Sequence, residues 1–235
     1  MYYVLCIMQV LLEHGADANR LMEGEHTTPL HIAAERGFTT VVRELLDCGA
    51  DVDGRLAGAC TVAMAATPLI VAVNNARVDC VSELLRAGAD QNIVDARGQA
   101  PVQLAVLNDD VVCVRLLLDQ TPSGIVDDLL ALAIVSGASC EVTEALIRSG
   151  RCHVDDVGSL CPCRPLMLAA LKGRSDVMDT LLDCNAEVDA DLIDEPDRLR
   201  LTALQFAVSA AVNPHYRADY CRRYACVRGH RFSLL

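Results

Sequence analysis

Apolar residues in this chain fall into short paired stripes separated by polar turns. The segment Thr28-Pro29-Leu30-His31-Ile32-Ala33-Ala34 sets the first marker. Its slot recurs as Thr67-Pro68-Leu69-Ile70-Val71-Ala72, Ala100-Pro101-Val102-Gln103-Leu104-Ala105, Arg164-Pro165-Leu166-Met167-Leu168-Ala169-Ala170 and Thr202-Ala203-Leu204-Gln205-Phe206-Ala207. The interval from Pro101 to Pro165 is close to twice the others, and Asp128-Leu129-Leu130-Ala131-Leu132-Ala133 fills it with the same apolar spacing but no proline. A second marker runs in step: Leu11-Leu12 before Gly15-Ala16-Asp17, Leu45-Leu46 before Gly49-Ala50-Asp51, and Leu84-Leu85 before Gly88-Ala89-Asp90. Leu116-Leu117, Leu146-Ile147 with Gly150, and Leu181-Leu182 with Asn185-Ala186-Glu187 continue it. Two markers in constant phase define an internal repeat.

Each repeat predicts two antiparallel helices. Thr28 caps the first, and Pro29 takes its first position, where a missing N–H costs nothing. Leu30, Ala33 and Ala34 make a narrow apolar face, with alanine allowing close approach of a neighbour, and Gly37 stops the helix. Val41, Val42, Leu45 and Leu46 form the stripe of the second helix. Gly49 ends it in a left-handed cap, and the chain leaves through an extended hairpin. Neither helix buries its apolar side alone, so the units must stack.

The motifs TPLHIAA and LLDCGADVD resemble the ankyrin repeat family, over roughly residues 4 to 211 and most clearly at the second, third and sixth repeats. The resemblance implies an all-α ankyrin-repeat solenoid of stacked antiparallel helix pairs with hairpin loops, about five full repeats plus two half repeats. Its expected domain is 1–212, with units near 1–20, 21–53, 54–94, 95–122, 123–156, 157–190 and 191–212, followed by a basic, disordered tail at 213–235. The first unit opens on Val4 to Leu12, which matches a second helix. The last closes near Ala207 to Val212 on a first helix followed by Pro214. Neither end carries the polar cap a solenoid needs, which leaves two alternatives open: covered ends, or a piece or variant of a longer protein. Extra length falls in hairpins, at Gly54 to Ala66 and Ala190 to Leu201.

Composition sharpens this picture. Of 235 residues, 52% are apolar and 3% aromatic with no Trp, which favours thin aliphatic layers over a bulky core. The net charge of -12 argues against nucleic acid as a general partner, because phosphate binding needs a cationic surface. The charge is uneven: from His215 onward Arg217, Arg222, Arg223, Arg228 and Arg231 face only Asp219. Lys172 is the sole lysine, which we read as compositional bias. The twelve cysteines are scattered through helical segments, so most are expected to be small buried hydrophobes of a reduced protein. The apolar run Met1 to Leu12 imitates a signal segment, with Ala16-Asp17-Ala18 as a cleavage-like triplet. It lacks a basic start, is too short to span a bilayer, and fits the repeat better.

Candidate chemistry is thin. Cys161-Pro162-Cys163 lacks a second pair at zinc spacing, and Cys221, Cys226 and His230 fall one ligand short of a closed site, with Cys152-His153 distant in sequence. His31 is read as structural, since in ankyrin-like repeats this histidine bonds backbone between neighbouring loops. His14 is read as a helix C-terminal residue favoured by the dipole. The tail interleaves Tyr216, Tyr220 and Tyr224 with arginines, which superficially suits RNA but is read as an out-of-register or disordered terminus. No nucleophile motif, phosphate loop, dinucleotide fingerprint or HExxH helix occurs, so no catalytic residue, metal or cofactor is expected.

The function implied by the resemblance is a non-enzymatic scaffold or adaptor that holds a partner protein in a concave groove of hairpin tips and exposed first-helix faces. By register, the groove comprises Glu25, Thr27, Glu35 and Arg36; Met64, Ala66, Asn74 and Asn75; Arg97, Gln99, Asn108 and Asp109; Asp127 and Ser136; and Arg164 and Lys172. The alternative is substrate recognition for a ubiquitin ligase, with the C-terminal box absent or truncated here. An enzyme would need a catalytic domain outside this sequence. A protein partner, no nucleic acid, no membrane insertion, a monomer unless the uncapped ends associate, and a cytoplasmic or nuclear setting complete the expectation.

Overall fold

The computed structural model describes residues 2–22, 27–55, 66–121, 123–157, 163–189, 192–194 and 199–212. The chain divides into two compact units, Met1–Thr121 and Pro122–Leu235.

In the first unit, helix α1 (Tyr2–Glu13) is followed by three helix pairs: α2 (Pro29–Arg36) with α3 (Thr39–Asp47), α4 (Pro68–Asn74) with α5 (Val78–Arg86), and α6 (Pro101–Leu107) with α7 (Val111–Leu118). The proline-led helices pack in sequence, α2 on α4 and α4 on α6, and their partners do the same, α3 on α5 and α5 on α7. Local chemistry sets the helix starts. The Thr28 and Thr67 side chains accept from the backbone N–H groups of His31 and Ile70, while proline supplies the pre-set φ at the first position. Where Ala100 offers no oxygen, the Gln103 side chain accepts from the Ala100 N–H, which satisfies that end from the other side.

Burial follows the predicted stripes. Leu30, Ala33 and Ala34 are buried in α2, and Val42 and Leu45 in α3. Leu69, Ile70, Ala72 and Val73 are buried against Cys80, Val81 and Leu84 in the next pair. Complete burial of a leucine in such a layer contributes about 1.5–3 kcal/mol relative to exposure, so each pair depends on its neighbours.

The second unit begins with one extra turn, α8 (Ser123–Val126), ahead of α9 (Leu129–Ser136) and α10 (Cys140–Arg148). This repeat, like the one that opens at Ala203, lacks the slot proline; α9 is apolar almost all round, with Leu129 to Ile134 buried. The pair α11 (Pro165–Lys172) and α12 (Ser175–Asp183) follows, with α11 packed on α9 and α12 on α10. A short antiparallel pair, β1 (Leu192–Asp194) and β2 (Leu199–Leu201), carries the long hairpin expected there, with Leu192 opposite Leu201. Helix α13 (Ala203–Val212) then packs on α11. The all-α architecture of stacked helix pairs therefore holds, with one two-stranded sheet, three residues to a strand, among the described residues.

The expectation for the cysteines needs correction. Cys80, Cys113, Cys152 and Cys163 are buried, but Cys6, Cys48 and Cys140 are exposed and Cys184 half-buried. Cys48 and Cys184 are the C-cap residues of α3 and α12, one position past the last helical residue of each. The loop at 56–65, Cys161, Pro162 and the tail at 213–235 lie outside the described residues.

Candidate protein-binding surface

The inner helices of the first unit end at one shared level. Glu35 and Arg36 close α2, Asn74 closes α4 with Asn75 as its cap, and Asn108 caps α6 with Asp109 next; all six are exposed. Because α2, α4 and α6 pack side by side, these pairs form one polar row on the face opposite the buried stripe. The row is held by backbone contacts between repeats. Arg77 Nε donates to the Glu35 carbonyl at 3.0 Å, and Asn108 Nδ2 to the Val73 carbonyl at 3.4 Å. Asn75 Nδ2 donates within its own helix, to the Val71 carbonyl at 2.9 Å.

Left-handed backbone fixes where each inner helix stops. Gly37 has φ 77°, and the same slot is filled in the next two repeats by Ala76 at 52° and Asp109 at 56°. Alanine there carries a steric cost that glycine avoids. A Cβ on Gly37 would lie 2.9 Å from Arg77 Cδ, so glycine also makes room for the arginine that reaches Glu35.

The hairpins lead into the other, N-terminal ends of these helices. Arg97 sits exposed at the tip of a turn in which the Asp95 carboxylate accepts from the Arg97 and Gln99 N–H groups at 2.8 Å and the Asp95 N–H donates to the Gln99 carbonyl at 2.9 Å. Gln99 and Thr27 occupy the corresponding closing slot. The Thr27 carbonyl accepts from Met22 N–H at 2.8 Å, both residues are half-buried, and their side-chain oxygens point inward without hydrogen-bond partners. They shape the loops more than they offer contact. Ala66 is buried, and Glu25 and Met64 lie outside the described residues.

In the second unit, Ser136 is exposed at the end of α9 with its hydroxyl donating to the Ala133 carbonyl at 3.3 Å, and Asp127 is exposed. Lys172 is half-buried at the end of α11. Arg164 is engaged: its guanidinium meets Glu187 at 3.1 Å and Asp155 at 3.9 Å.

Residues the register did not single out tie the hairpins together. Asn19 Oδ1 accepts from Asp51 N–H at 2.7 Å while its Nδ2 donates to the Gly49 carbonyl, and Asp53 Oδ1 accepts from Asp90 N–H at 2.9 Å. Asp155 repeats the device with Glu187 N–H at 3.1 Å. For Asn19 and Asp53 the signal was present in the sequence as the short polar residue two places after the Ala16-Asp17 and Ala50-Asp51 steps, but its partner sits one repeat away; Asp155 follows no such step. Arg174 mirrors Arg77 in the second unit, donating to the Ala138 carbonyl at 2.7 Å.

The titrating groups serve structure. Burial pushes the Cys113 and Cys152 thiols up to about 12, which suppresses the thiolate that nucleophilic or metal chemistry needs. Arg174 beside Asp176 holds that carboxyl down at about 2, and Arg43, hydrogen-bonded at 2.6 Å across the outer helices, lowers Glu83. His14 bonds the Val10 carbonyl at 2.8 Å at the end of α1. Among the described residues no group of three or more His, Cys, Asp or Glu is placed to hold a metal ion, and no helix is long and apolar enough to cross a membrane.

Comparison with known proteins agrees with this geometry. The family model for ankyrin repeats in three copies matches residues 2–56 and 55–128, and the single ankyrin repeat model matches 161–190. Human ankyrin repeat and SOCS box protein 16 is 35% identical over 95 residues, covering 40% of this chain and 19% of that protein. The Arabidopsis thaliana E3 ubiquitin-protein ligase XBAT33 is 30% identical over 169 residues, covering 71% of this chain and 31% of that protein. The chain thus spans less than a third of the length of either relative. Among solved structures, the ankyrin repeat domain of Bcl-3, a member of the IkappaB protein family, superposes with a TM-score of 0.64 at 25% identity, covering 83% of this chain and 87% of that one.

Proposed function

This chain belongs to the ankyrin repeat family, and from that premise we propose that it is a non-enzymatic adaptor that binds a protein segment along the row formed by Glu35, Arg36, Asn74, Asn75, Asn108 and Asp109. The observation that carries the reading is the shared level of these side chains: three consecutive helices are buried on one face and end in exposed hydrogen-bonding or charged groups on the other. Arg97 extends the surface onto the hairpins, and in the second unit Ser136 and Lys172 occupy the matching slots.

A segment that presents basic and amide groups suits this surface, because the protein carries a net charge of -12. Nucleic acid does not suit it, for the same reason. The buried cysteines Cys80, Cys113 and Cys152, none of them in a disulfide, support a reducing compartment such as the cytoplasm or nucleus, and the reading is of a monomer.

A ubiquitin-ligase substrate adaptor is the second reading, favoured by relatives that are a SOCS box protein and an E3 ligase. It shares the groove and differs in what the partner's fate would be. The test is affinity capture from cell extract with the wild-type chain and a Glu35→Lys, Arg97→Glu, Asp109→Asn triple variant, read by quantitative mass spectrometry. We expect at least one protein to be retained by the wild type and reduced about tenfold or more by the variant, while circular dichroism stays unchanged. Equal capture by both removes this surface from the account, and accumulation of ubiquitin-ligase subunits with the wild type favours the second reading.

A further inference from the structure

Two lines of side chains run across the ends of α2, α4 and α6, and they differ in chemistry. Counted from each leading proline, the sixth residues are Glu35, Asn74 and Leu107, and the seventh are Arg36, Asn75 and Asn108. The first line passes from a carboxylate through an amide to an aliphatic side chain. Leu107 is 37% exposed, and Val112, just past the turn from α6 to α7, is 52% exposed, so this end is apolar surface.

Hydrogen bonding decides what the amides of the second line leave over. Asn75 and Asn108 each turn an amide toward a backbone carbonyl, that of Val71 at 2.9 Å and that of Val73 at 3.4 Å. A carbonyl only accepts, so the atom facing it is Nδ2, and Oδ1 is the group that remains for a ligand. Neither Oδ1 has a partner among the described residues, and Glu35 forms no ion pair with them. Arg77 takes the Glu35 main-chain carbonyl and leaves the carboxylate. The surface therefore asks for donors along its length and for an aliphatic group at one end.

Spacing follows from the packing. Packed helices stand about 8–10 Å apart, so Glu35 and Leu107, two helices from each other, are separated by roughly 16–20 Å. An extended chain rises ~3.3 Å per residue and covers that span in about five or six residues.

We infer, on the premise that this row is the adaptor's binding surface, that the first unit reads an extended segment running from a basic to an aliphatic residue. An arginine or lysine pairs with Glu35, and an aliphatic side chain about five or six residues away lies on Leu107 and Val112. N–H donors between them meet the Asn75 and Asn108 oxygens. Arg36 stands beside the basic end, where it meets main-chain carbonyl groups of the segment. An acidic segment is refused, because its carboxylates would face Glu35 and two amide oxygens with no proton to share.

The probe is a phage library of random dodecapeptides selected on the full chain, followed by fluorescence anisotropy with the best labelled peptide. Selected peptides should carry Arg or Lys about five or six positions from Leu, Ile, Val or Met. Leu107→Asp and Glu35→Lys should each weaken the labelled peptide about tenfold or more, with circular dichroism unchanged. Asn75→Leu should weaken it, whereas Asn75→Asp, which keeps an oxygen acceptor, should not. Selection repeated on Leu107→Asp should exchange the aliphatic residue for Arg or Lys while the other end stays basic, an exchange that loss of folding cannot produce. Peptides without this pattern whose binding still falls in Glu35→Lys keep the row as a binding surface and overturn the basic-to-aliphatic reading. Peptides indifferent to every variant, or no enrichment over a surface without the chain, overturn both. A dimer of the free chain that Leu107→Asp dissociates in light scattering gives the aliphatic end to a second copy and also overturns the inference.

Discussion

His31 Nε2 lies 3.2 Å from the carbonyl oxygen of Ala66, thirty-five residues on, and this bond joins one repeat to the hairpin of the next. The imidazole is buried, and its Nδ1 sits 2.7 Å from the Thr28 hydroxyl. Since the carbonyl can only accept, Nε2 carries the proton; Nδ1 then accepts from the Thr28 hydroxyl, whose oxygen in turn accepts from the His31 backbone N–H at 3.4 Å. One side chain thus completes the helix cap and fixes the inter-repeat spacing. His31→Leu should lower unfolding stability by about 1–3 kcal/mol, the range for stranding buried hydrogen-bond partners, as read from the urea midpoint. An unchanged midpoint would show that the bond contributes nothing to the stacking.

The same histidine makes stability depend on pH. Burial pushes its pKa below the ordinary value, against the opposing pull of the Ala66 and Gly54 carbonyls and the Asp51 charge. The native state therefore holds the neutral ring while the unfolded chain takes up a proton near pH 6.5. Stability from this group is complete above the unfolded value and is lost as pH falls through it, levelling off below the folded value. Denaturation midpoints measured between pH 8 and pH 5 should fall more steeply for the wild type than for His31→Leu; parallel curves would contradict this assignment.

Ala76 and Gly37 occupy one slot with opposite consequences. Ala76→Gly relieves a left-handed alanine and should raise stability by about 0.5–1 kcal/mol. Gly37→Ala should lower it, both through φ 77° and because the new methyl displaces Arg77. Thermal melts of the two variants should shift in opposite directions.

Arg77→Met should keep the stem of the side chain but lose the bond to the Glu35 carbonyl, at a cost of about 0.5–1.5 kcal/mol. Amide exchange at the end of α2 should quicken, with α6 and α7 unaffected. Equal exchange there in both proteins would remove Arg77 from the set that holds the row.

The helix pairs were legible in the sequence because their determinants are local: Thr28 and Pro29 start a helix, Gly37 stops it, and Val42 and Leu45 fall on one side whatever lies elsewhere. His31 was legible through the family resemblance. The long-range polar contacts were not, since Arg77 and Asp53 find backbone partners in another repeat, and one-dimensional spacing does not say which carbonyl or N–H will be left over. The same limit explains Thr27 and Gln99. Register placed them on the hairpins, but loop closure through Met22 and Asp95 turned their side-chain oxygens inward. The exposed Cys48 and Cys140 were hidden for a related reason, because composition reports residue types and not which side of a helix end they occupy.

The most direct test of the account maps where a captured partner touches the chain. Hydrogen–deuterium exchange of the complex against the free protein should show slowed amides at the ends of α2, α4 and α6 and in the turn around Arg97, with α3, α5 and α7 unchanged. Protection confined to those outer helices, with the inner row exchanging as in the free chain, would contradict it.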